Sequence, residues 1–166
     1  MSIDSWKYLF VGAARAAEIT GVTEVQQRNL RRRGYMPYRG DGANYSFTPQ
    51  GLAFLLVLNR LAAFGMGPQD AKKIADEAAD AIFYYALRSK GAPAIKSPEK
   101  LFAREADRKF KGFLVVDRNL IAHEVNYLDD FFAGEDGQEV ALILDLDTLG
   151  EQLTARAAEP LVTVSN

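Results

Sequence analysis

Six side chains between positions 26 and 33 have the chemistry to contact a nucleic acid. Gln26, Gln27 and Arg28 are consecutive, and the basic run Arg31–Arg33 follows within one helical turn. A glutamine amide can pair bidentately with adenine and an arginine guanidinium with guanine, and further arginines can hold phosphates. A basic triplet taken alone is more often a solvated helix end. Whether these side chains form a surface that contacts DNA therefore depends on the secondary-structure elements that position them.

A second group of polar side chains, His123-Glu124 with Asp129-Asp130, has the residue types of a hydrolytic or metal site. Such sites need converging ligands, usually with several histidines, and His123 is the only histidine of the chain. In a strand, His123 and Glu124 point to opposite faces. There is no His-Glu-x-x-His pattern, no P-loop and no cysteine, which excludes thiolate metal sites and disulfides. The sequence predicts no catalytic site, no metal site and no cofactor.

The charged residues are distributed unevenly along the 166-residue chain. Residues 1–67 contain 8 basic and 4 acidic side chains, whereas residues 68–166 contain 12 basic and 18 acidic ones. The net charge of −2 thus combines a basic first part with an acidic second part. A phosphate backbone attracts the first and repels the second, which would orient the protein on DNA.

The elements around the basic segment are predicted to be two helices joined by a tight turn. An alanine-rich stretch predicts a first helix from Tyr8 to Ile19, and Gly21 ends it. Thr23 is a suitable N-cap for a second helix that runs to about Arg33, with Gly34 as its C′ residue. On this second helix the core positions are assigned to Val22, Val25 and Leu30, and the exposed ones to Glu24, Gln27, Arg28, Arg31 and Arg32.

A hairpin and two further helices complete the predicted first domain, residues 1–90. The turn signal at 39–42 lies inside the loop-like segment Pro37–Phe47 and favours a short hairpin. Thr48-Pro49 begins an apolar helix that ends near Gly65. Gly67-Pro68 begins another helix, which reaches about Arg88.

The second predicted domain, residues 91–166, begins at Gly91-Ala92-Pro93 and is small, β-rich and α+β. Its predicted elements are a helix from Ser97 to about Phe110, strands at Phe113–Val116, Leu120–Leu128 and Val140–Leu146, and a helix at about Thr148–Ala157. The tail from Leu161 to Asn166 is either a last strand or disordered. The predicted fold class of the whole chain is therefore α+β.

The order of motifs from Phe10 to about Ile74 resembles the MerR family of transcription regulators. The resemblance is carried by Gly21-Val22-Thr23, Arg28, Gly34-Tyr35-Met36-Pro37, Asn44-Tyr45, Phe47-Thr48-Pro49 and Phe64-Gly65-Met66-Gly67. It implies a winged helix-turn-helix that binds double-stranded DNA. This chain departs from the family pattern at Asn29-Leu30, where the family has an aromatic pair, and at Ser46, where it has a wing arginine.

The resemblance, together with predicted exposure, assigns roles to nine residues. Gln26, Gln27 and Arg28 are assigned to base edges. Phosphates are assigned to Thr23, Arg31, Arg32 and Arg39. Tyr38 and Tyr45 are wing candidates, with a place in the wing core as the equal alternative for Tyr45.

The second domain is expected to dimerise, to bind a partner protein or to bind a small-molecule effector. The family's long coiled-coil helix is shortened here by Gly91 and Pro93, so a homodimer would form instead through a strand such as Val140–Leu146. An aromatic set could line a ligand pocket, although ordinary core is the commoner role: Tyr84, Tyr85, Phe102, Phe110, Phe113, Tyr127, Phe131 and Phe132.

The leading functional hypothesis is a sequence-specific, dimeric transcription regulator of the bacterial cytoplasm and nucleoid, acting at a palindromic operator. No signal peptide is evident in Met1–Trp6, and the apolar run Leu52–Leu58 is too short to cross a membrane, so no membrane association is expected. One alternative is an excisionase-like or phage accessory factor for recombination or DNA architecture. Another is a protein-binding adaptor that uses a winged helix, and an enzyme is the last.

Overall fold

The computed structural model describes residues 5–40, 45–89, 93–94, 110–133 and 141–165, and its fold is α+β as predicted. The strands are β1 Ser5–Tyr8, β2 Val11–Gly12, β3 Ser46–Phe47, β4 Pro93–Ala94, β5 Phe113–Val116, β6 Ala122–Val125, β7 Leu142–Asp145 and β8 Val162–Ser165. The helices are α1 Ala13–Thr20, α2 Glu24–Arg32, α3 Pro49–Ala63, α4 Pro68–Arg88, α5 Leu128–Phe132 and α6 Leu146–Ala157.

The strands form three small sheets. In the first, β8 lies between β1, which is antiparallel to it, and β4, which is parallel. The second pairs β2 with β3, and the third has the antiparallel order β6-β5-β7. Of the two predicted states of the C-terminal tail, the strand is therefore the one observed.

The predicted first helix begins too early. Ser5–Tyr8 is the strand β1, the amide of Leu9 donates to the carbonyl of Leu161 at 2.9 Å, and helix α1 begins only at Ala13. The reason lies in residue types: aromatic and β-branched residues suit a strand before Gly12, and the alanines begin after it.

Helices α3 and α4 follow their predicted boundaries closely. The hydroxyl of Thr48 accepts from the amide of Gly51 at 3.1 Å, which caps α3, and Pro49 occupies its first turn. Every residue from Leu52 to Leu58 is buried, so α3 is the central helix of the core. Helix α4 runs from Pro68 to Arg88, as predicted.

The second part of the chain contributes a helix to this same core. Helix α6 packs on α4 and also contacts α1 and α3, with Leu146, Leu153 and Ala157 fully buried. Asp145 caps it by accepting from the amide of Thr148 at 3.0 Å. The division near residue 90 stays a prediction, and the structure adds that α6 completes the core of the first-half helices.

The β5–β6 hairpin is formed, but β6 is shorter than predicted. It ends at Val125, and the short helix α5, which the sequence does not predict, follows at Leu128. The carboxylate of Asp117 accepts from the amides of Asn119 and Ile121 and so holds the turn between the strands.

Two predicted features lie outside the described residues: the wing turn at 41–42 and the helix at 97–109. In the part of the chain that the structure covers, no helix has both the length and the apolar character needed to cross a membrane.

Candidate nucleic-acid interface

The turn between α1 and α2 depends on Gly21. This residue has φ 79°, and its amide donates to the carbonyl of Ala17 at 2.9 Å. A Cβ at this position would lie 2.6 Å from Nδ2 of Asn59. That amide group donates to the carbonyl of Thr20 at 3.1 Å. Asn59 of α3 therefore contacts the turn and helps to fix the angle between α1 and α2.

Thr23 and Gln26 begin helix α2 with a reciprocal pair of hydrogen bonds. The Thr23 hydroxyl accepts from the amide of Gln26 at 3.3 Å, and Oε1 of Gln26 accepts from the amide of Thr23 at 2.8 Å. This is a capping box, and it fixes which residue is the first of the helix. Both side chains are exposed, so their predicted DNA contacts stay predictions.

Gln27 is the main correction to the predicted interface. It is 0% exposed, although the sequence pattern assigns it to the exposed side and to base reading. Its Nε2 donates to the carbonyls of Ala13 at 3.0 Å and Val22 at 2.8 Å, and its Oε1 accepts from the hydroxyl of Tyr45 at 3.3 Å. With its amide used in this way, Gln27 joins α2 to α1 instead of facing a groove.

Tyr45 is the second correction. It is 8% exposed, and its ring packs edge-on against Phe47 at 5.6 Å and Tyr38 at 6.1 Å between centroids. The predicted exposure of Tyr45 to DNA is therefore wrong, and the alternative of a core position is the one observed. Tyr38 is 45% exposed and keeps its candidate role.

Val25 is a candidate that the sequence pattern placed in the core. It is 61% exposed, because the inward position of Gln27 turns the opposite side of α2 outward. Thr23 as the N-cap makes Val25 the second residue of the helix, but which side of the helix is buried depends on the contacts that Gln27 makes with Ala13 and Val22. Its methyl groups are suited to contact the methyl group of thymine.

The arginines of α2 divide into two groups. Arg28 and Arg32 are exposed and form no ion pair with any residue that the structure describes. Arg31 is half-buried, and its guanidinium lies 4.3 Å from the ring centroid of Tyr45 and 5.6 Å from that of Tyr38. These cation–π contacts place the end of α2 beside the loop that follows it.

That loop is closed by backbone hydrogen bonds. The amide of Arg39 donates to the carbonyl of Ser46 at 2.9 Å, and the reverse bond is 2.8 Å. Ser46 also pairs with Gly12 in the β2–β3 ladder, so the loop is attached next to the start of α1. The guanidinium of Arg39 lies 5.5 Å from the ring centroid of Phe10. Arg39 and Tyr38 are thus exposed at the base of a closed loop beside α2.

The side chains of the second polar group, His123-Glu124 with Asp129-Asp130, do not come together at one site. Nε2 of His123 lies 3.3 Å from Oδ2 of Asp117, a partner that the sequence pattern did not suggest, and the His123 ring packs on Phe131. Asp129 and Asp130 lie in the first turn of α5. Across the described residues, no three side chains of the metal-binding types come together.

Part of the aromatic set forms a cluster at the end of α4. The ring of Tyr84 lies 5.4 Å from that of Tyr85 and 5.1 Å from that of Phe110. The Tyr85 hydroxyl donates to the carbonyl of Phe110 at 3.2 Å. Burial, with a smaller contribution from the Asp147 carboxylate, raises the pKa of Tyr85 above its ordinary value. The effector-binding role of this set stays a prediction.

Comparison with known proteins finds no matching family model and no matching curated protein. The resemblance to the MerR family accordingly rests on the order of motifs in this sequence.

Proposed function

We propose that this protein is a sequence-specific, double-stranded DNA-binding regulator that places α2 in the major groove. The observation that carries the proposal is the exposed side of α2, which presents Val25, Arg28 and Arg32. Arg31, near the end of the same helix, contacts Tyr38 of the following loop. An α-helix with its side chains is about 10–12 Å across and fits the major groove, which is about 12 Å wide. The nine residues of α2 give the helix a length of about 13.5 Å along that groove.

The residues divide by the chemistry of their contacts. Arg28 is assigned to guanine and Val25 to a thymine methyl group. Gln26 is left out of the assignment to base edges, because its Oε1 accepts from the amide of Thr23 and its side chain faces the space between α2 and α3. Phosphates are assigned to side chains that lie at the ends of α2 or at the loop, namely Thr23, Arg31, Arg32 and Arg39, with Tyr38 beside them. Gln27 and Tyr45 are buried beneath this surface and are hydrogen-bonded to each other, which holds α2 in position.

The regulator would act as a homodimer in the bacterial cytoplasm. Two copies related by a two-fold axis would read a palindrome whose half-sites are about 34–36 Å apart, one helical turn of DNA. The pairing surface is assigned to the second part of the chain, where β7 is an edge strand of its sheet. The same part could alternatively hold a partner protein or an effector.

Selection from random duplexes tests the proposal, because a dimeric regulator should enrich one palindrome. Tandem direct repeats would instead indicate an accessory recombination or architectural factor. An absence of salt-dependent affinity for any duplex would overturn DNA binding and favour the adaptor.

Two variants test the assignment of residues. Arg28→Ala should weaken the preference for one base at one position of each half-site, with a loss of about 1–3 kcal/mol in discrimination against the other bases. Arg32→Ala should weaken binding to all sequences and flatten the dependence on salt. Arg118→Ala, which removes an exposed arginine of the β5–β6 turn, is the control. If Arg28→Ala binds as the parent protein does, α2 is not the reading helix.

A further inference from the structure

A cavity of about 250 Å³ lies behind α2, between this helix, α3 and the start of α4. Its walls are mainly apolar and include Leu30, Leu58, Ala62 and Met66. A cavity of about 150 Å³ accepts a benzene ring, so this one has room for a ring that carries a short substituent.

Polar groups from α2, from its C-terminal end and from α3 also line this cavity. Arg33, Asn29 and Asn59 contribute to the lining, and Arg33 forms no ion pair with a residue in the described ranges. Nδ2 of Asn59 is already used by the carbonyl of Thr20. A guanidinium beside an apolar wall is complementary to a ligand that has a carboxylate at one end and an apolar body at the other.

We propose that this cavity is a regulatory site for a small carboxylic acid with a single aromatic or branched aliphatic body. The carboxylate would pair with Arg33, and the body would lie against Leu58 and Met66. The proposal rests on the proposed DNA-binding function for its effect, which is a lower affinity for DNA.

The sign of that effect follows from charge. Arg33 belongs to the basic cluster of α2, together with Arg28, Arg31 and Arg32. A bound carboxylate neutralises one positive charge in this cluster and weakens its attraction for phosphates. Because such coupling is reciprocal, DNA should lower the affinity of the protein for the acid by the same factor.

Binding can be measured without DNA, from the methyl groups of labelled methionines in NMR spectra of the full chain. Met66 lines the cavity, whereas Met36 is buried outside it and serves as an internal control. The probes are phenylacetate, 3-phenylpropionate and 4-methylpentanoate at millimolar concentration, with phenylacetamide as the neutral analogue of the first. We expect a saturable shift of Met66 alone, and binding of the amide about tenfold weaker.

Two pairs of variants localise the site. Arg33→Gln should weaken acid binding about tenfold, whereas Arg118→Gln should not change it. Ala62→Leu fills the mouth of the cavity and should abolish binding, whereas Ala63→Leu, at the next exposed position of α3, should retain it. No saturable Met66 shift with any of the three acids, or equal binding by Arg33→Gln, would overturn the proposal.

A final titration separates this inference from the proposed function. The selected duplex is titrated with and without saturating acid, and the acid should raise the Kd for DNA several-fold. Unchanged DNA affinity at saturation overturns the regulatory role. A protein that binds the acid but no duplex refutes the proposed function and leaves the cavity a binding site. A protein that binds DNA but no acid refutes the inference alone.

Discussion

Gln27 shows how a single buried amide determines which side of α2 faces outward. Its two N–H groups satisfy the carbonyls of Ala13 and Val22, and its oxygen accepts from Tyr45. Buried carbonyls that lose their donors are costly, so rotation of the helix about its axis is opposed. The exposure of Val25 and Arg28 follows from this one position.

Replacing this amide should destabilise the fold. Gln27→Leu keeps a side chain of similar size but leaves the carbonyls of Ala13 and Val22 without their donor. We expect a loss of about 1–3 kcal/mol in the free energy of unfolding, measured by urea denaturation. Arg28→Leu, at the adjacent exposed position, should stay within about 0.5 kcal/mol of the parent protein. Equal stability of the two variants would contradict the supporting role of Gln27.

The turn glycine gives a second prediction. Gly21 and Gly65 both have positive φ, 79° and 84°. Of the two, only Gly21 has a neighbour within 4 Å of a Cβ among the described residues, the amide of Asn59. Alanine at either position should cost about 1–2 kcal/mol in backbone strain. Gly21→Ala should cost about 1 kcal/mol more, because Asn59 must leave the carbonyl of Thr20. Thermal unfolding of both variants tests this, and equal losses would refute the role of Asn59.

Local chemistry explains which residues the sequence predicted correctly. Thr23 and Thr48 begin their helices as expected, because each makes its capping hydrogen bond within three residues of itself. The orientations of Gln27 and Val25 were predicted wrongly, because they depend on α1 and on the loop of Tyr45. A pattern of polar and apolar letters does not distinguish a buried glutamine with three partners from an exposed one.

At the scale of elements, the crossing of α4 and α6 is made possible by Gly150. A Cβ there would lie 2.6 Å from the amide nitrogen of Ala86 and 2.9 Å from the carbonyl oxygen of Ile82. These are backbone atoms and have little freedom to move. Next to the crossing, the hydroxyl of Thr154 donates to the carbonyl of Ala86 at 3.0 Å. The two helices are therefore held closer together than any side chain at position 150 would allow.

This close approach reverses the usual expectation for glycine in a helix. Helix propensity alone predicts that Gly150→Ala is stabilising by about 1 kcal/mol. The backbone contact instead predicts a net loss of about 1–3 kcal/mol, measured by urea denaturation. Gly112→Ala is the control, because no atom of the described residues lies within 4 Å of a Cβ at that position. If Gly150→Ala is stabilising, the backbone of α4 does not lie in contact with position 150 of α6.

The accuracy of the predicted elements follows from how local their signals are. Helices α3 and α4 have proline in the first turn and long apolar patterns, and their limits were predicted to within two residues. Strand β1 was missed because its partner β8 is more than 150 residues away. The short helix α5 was missed because five residues contain too little periodicity to separate a helix from a strand.

At the scale of the whole molecule, three arginines connect the first and second parts of the chain, and two of them do so reciprocally. Arg15 of α1 donates to the carbonyl of Ala157 at 2.7 Å, and Arg156 of α6 donates to the carbonyl of Ile19 at 3.2 Å. Each thus satisfies a carbonyl at the C-terminal end of the other helix, where positive charge is favourable. Arg60 of α3 adds a bond to Gln152 at 2.9 Å. The helix-and-turn unit is therefore attached to α6 by charged as well as apolar contacts.

These contacts predict that residues 1–90 do not fold alone. Without α6, the fragment would expose the sides of α3 and α4 on which this helix packs, and Leu146, Leu153 and Ala157 of α6 are fully buried in the intact chain. Burial of one such leucine side chain is worth about 1.5–3 kcal/mol, and a domain has only about 5–15 kcal/mol in total. We expect the fragment to lose cooperative thermal unfolding and duplex binding, and a separately made fragment 91–166 to restore both on mixing. If fragment 1–90 melts cooperatively and binds the selected duplex, then α6 is dispensable for the interface, and the division near residue 90 separates two independent domains.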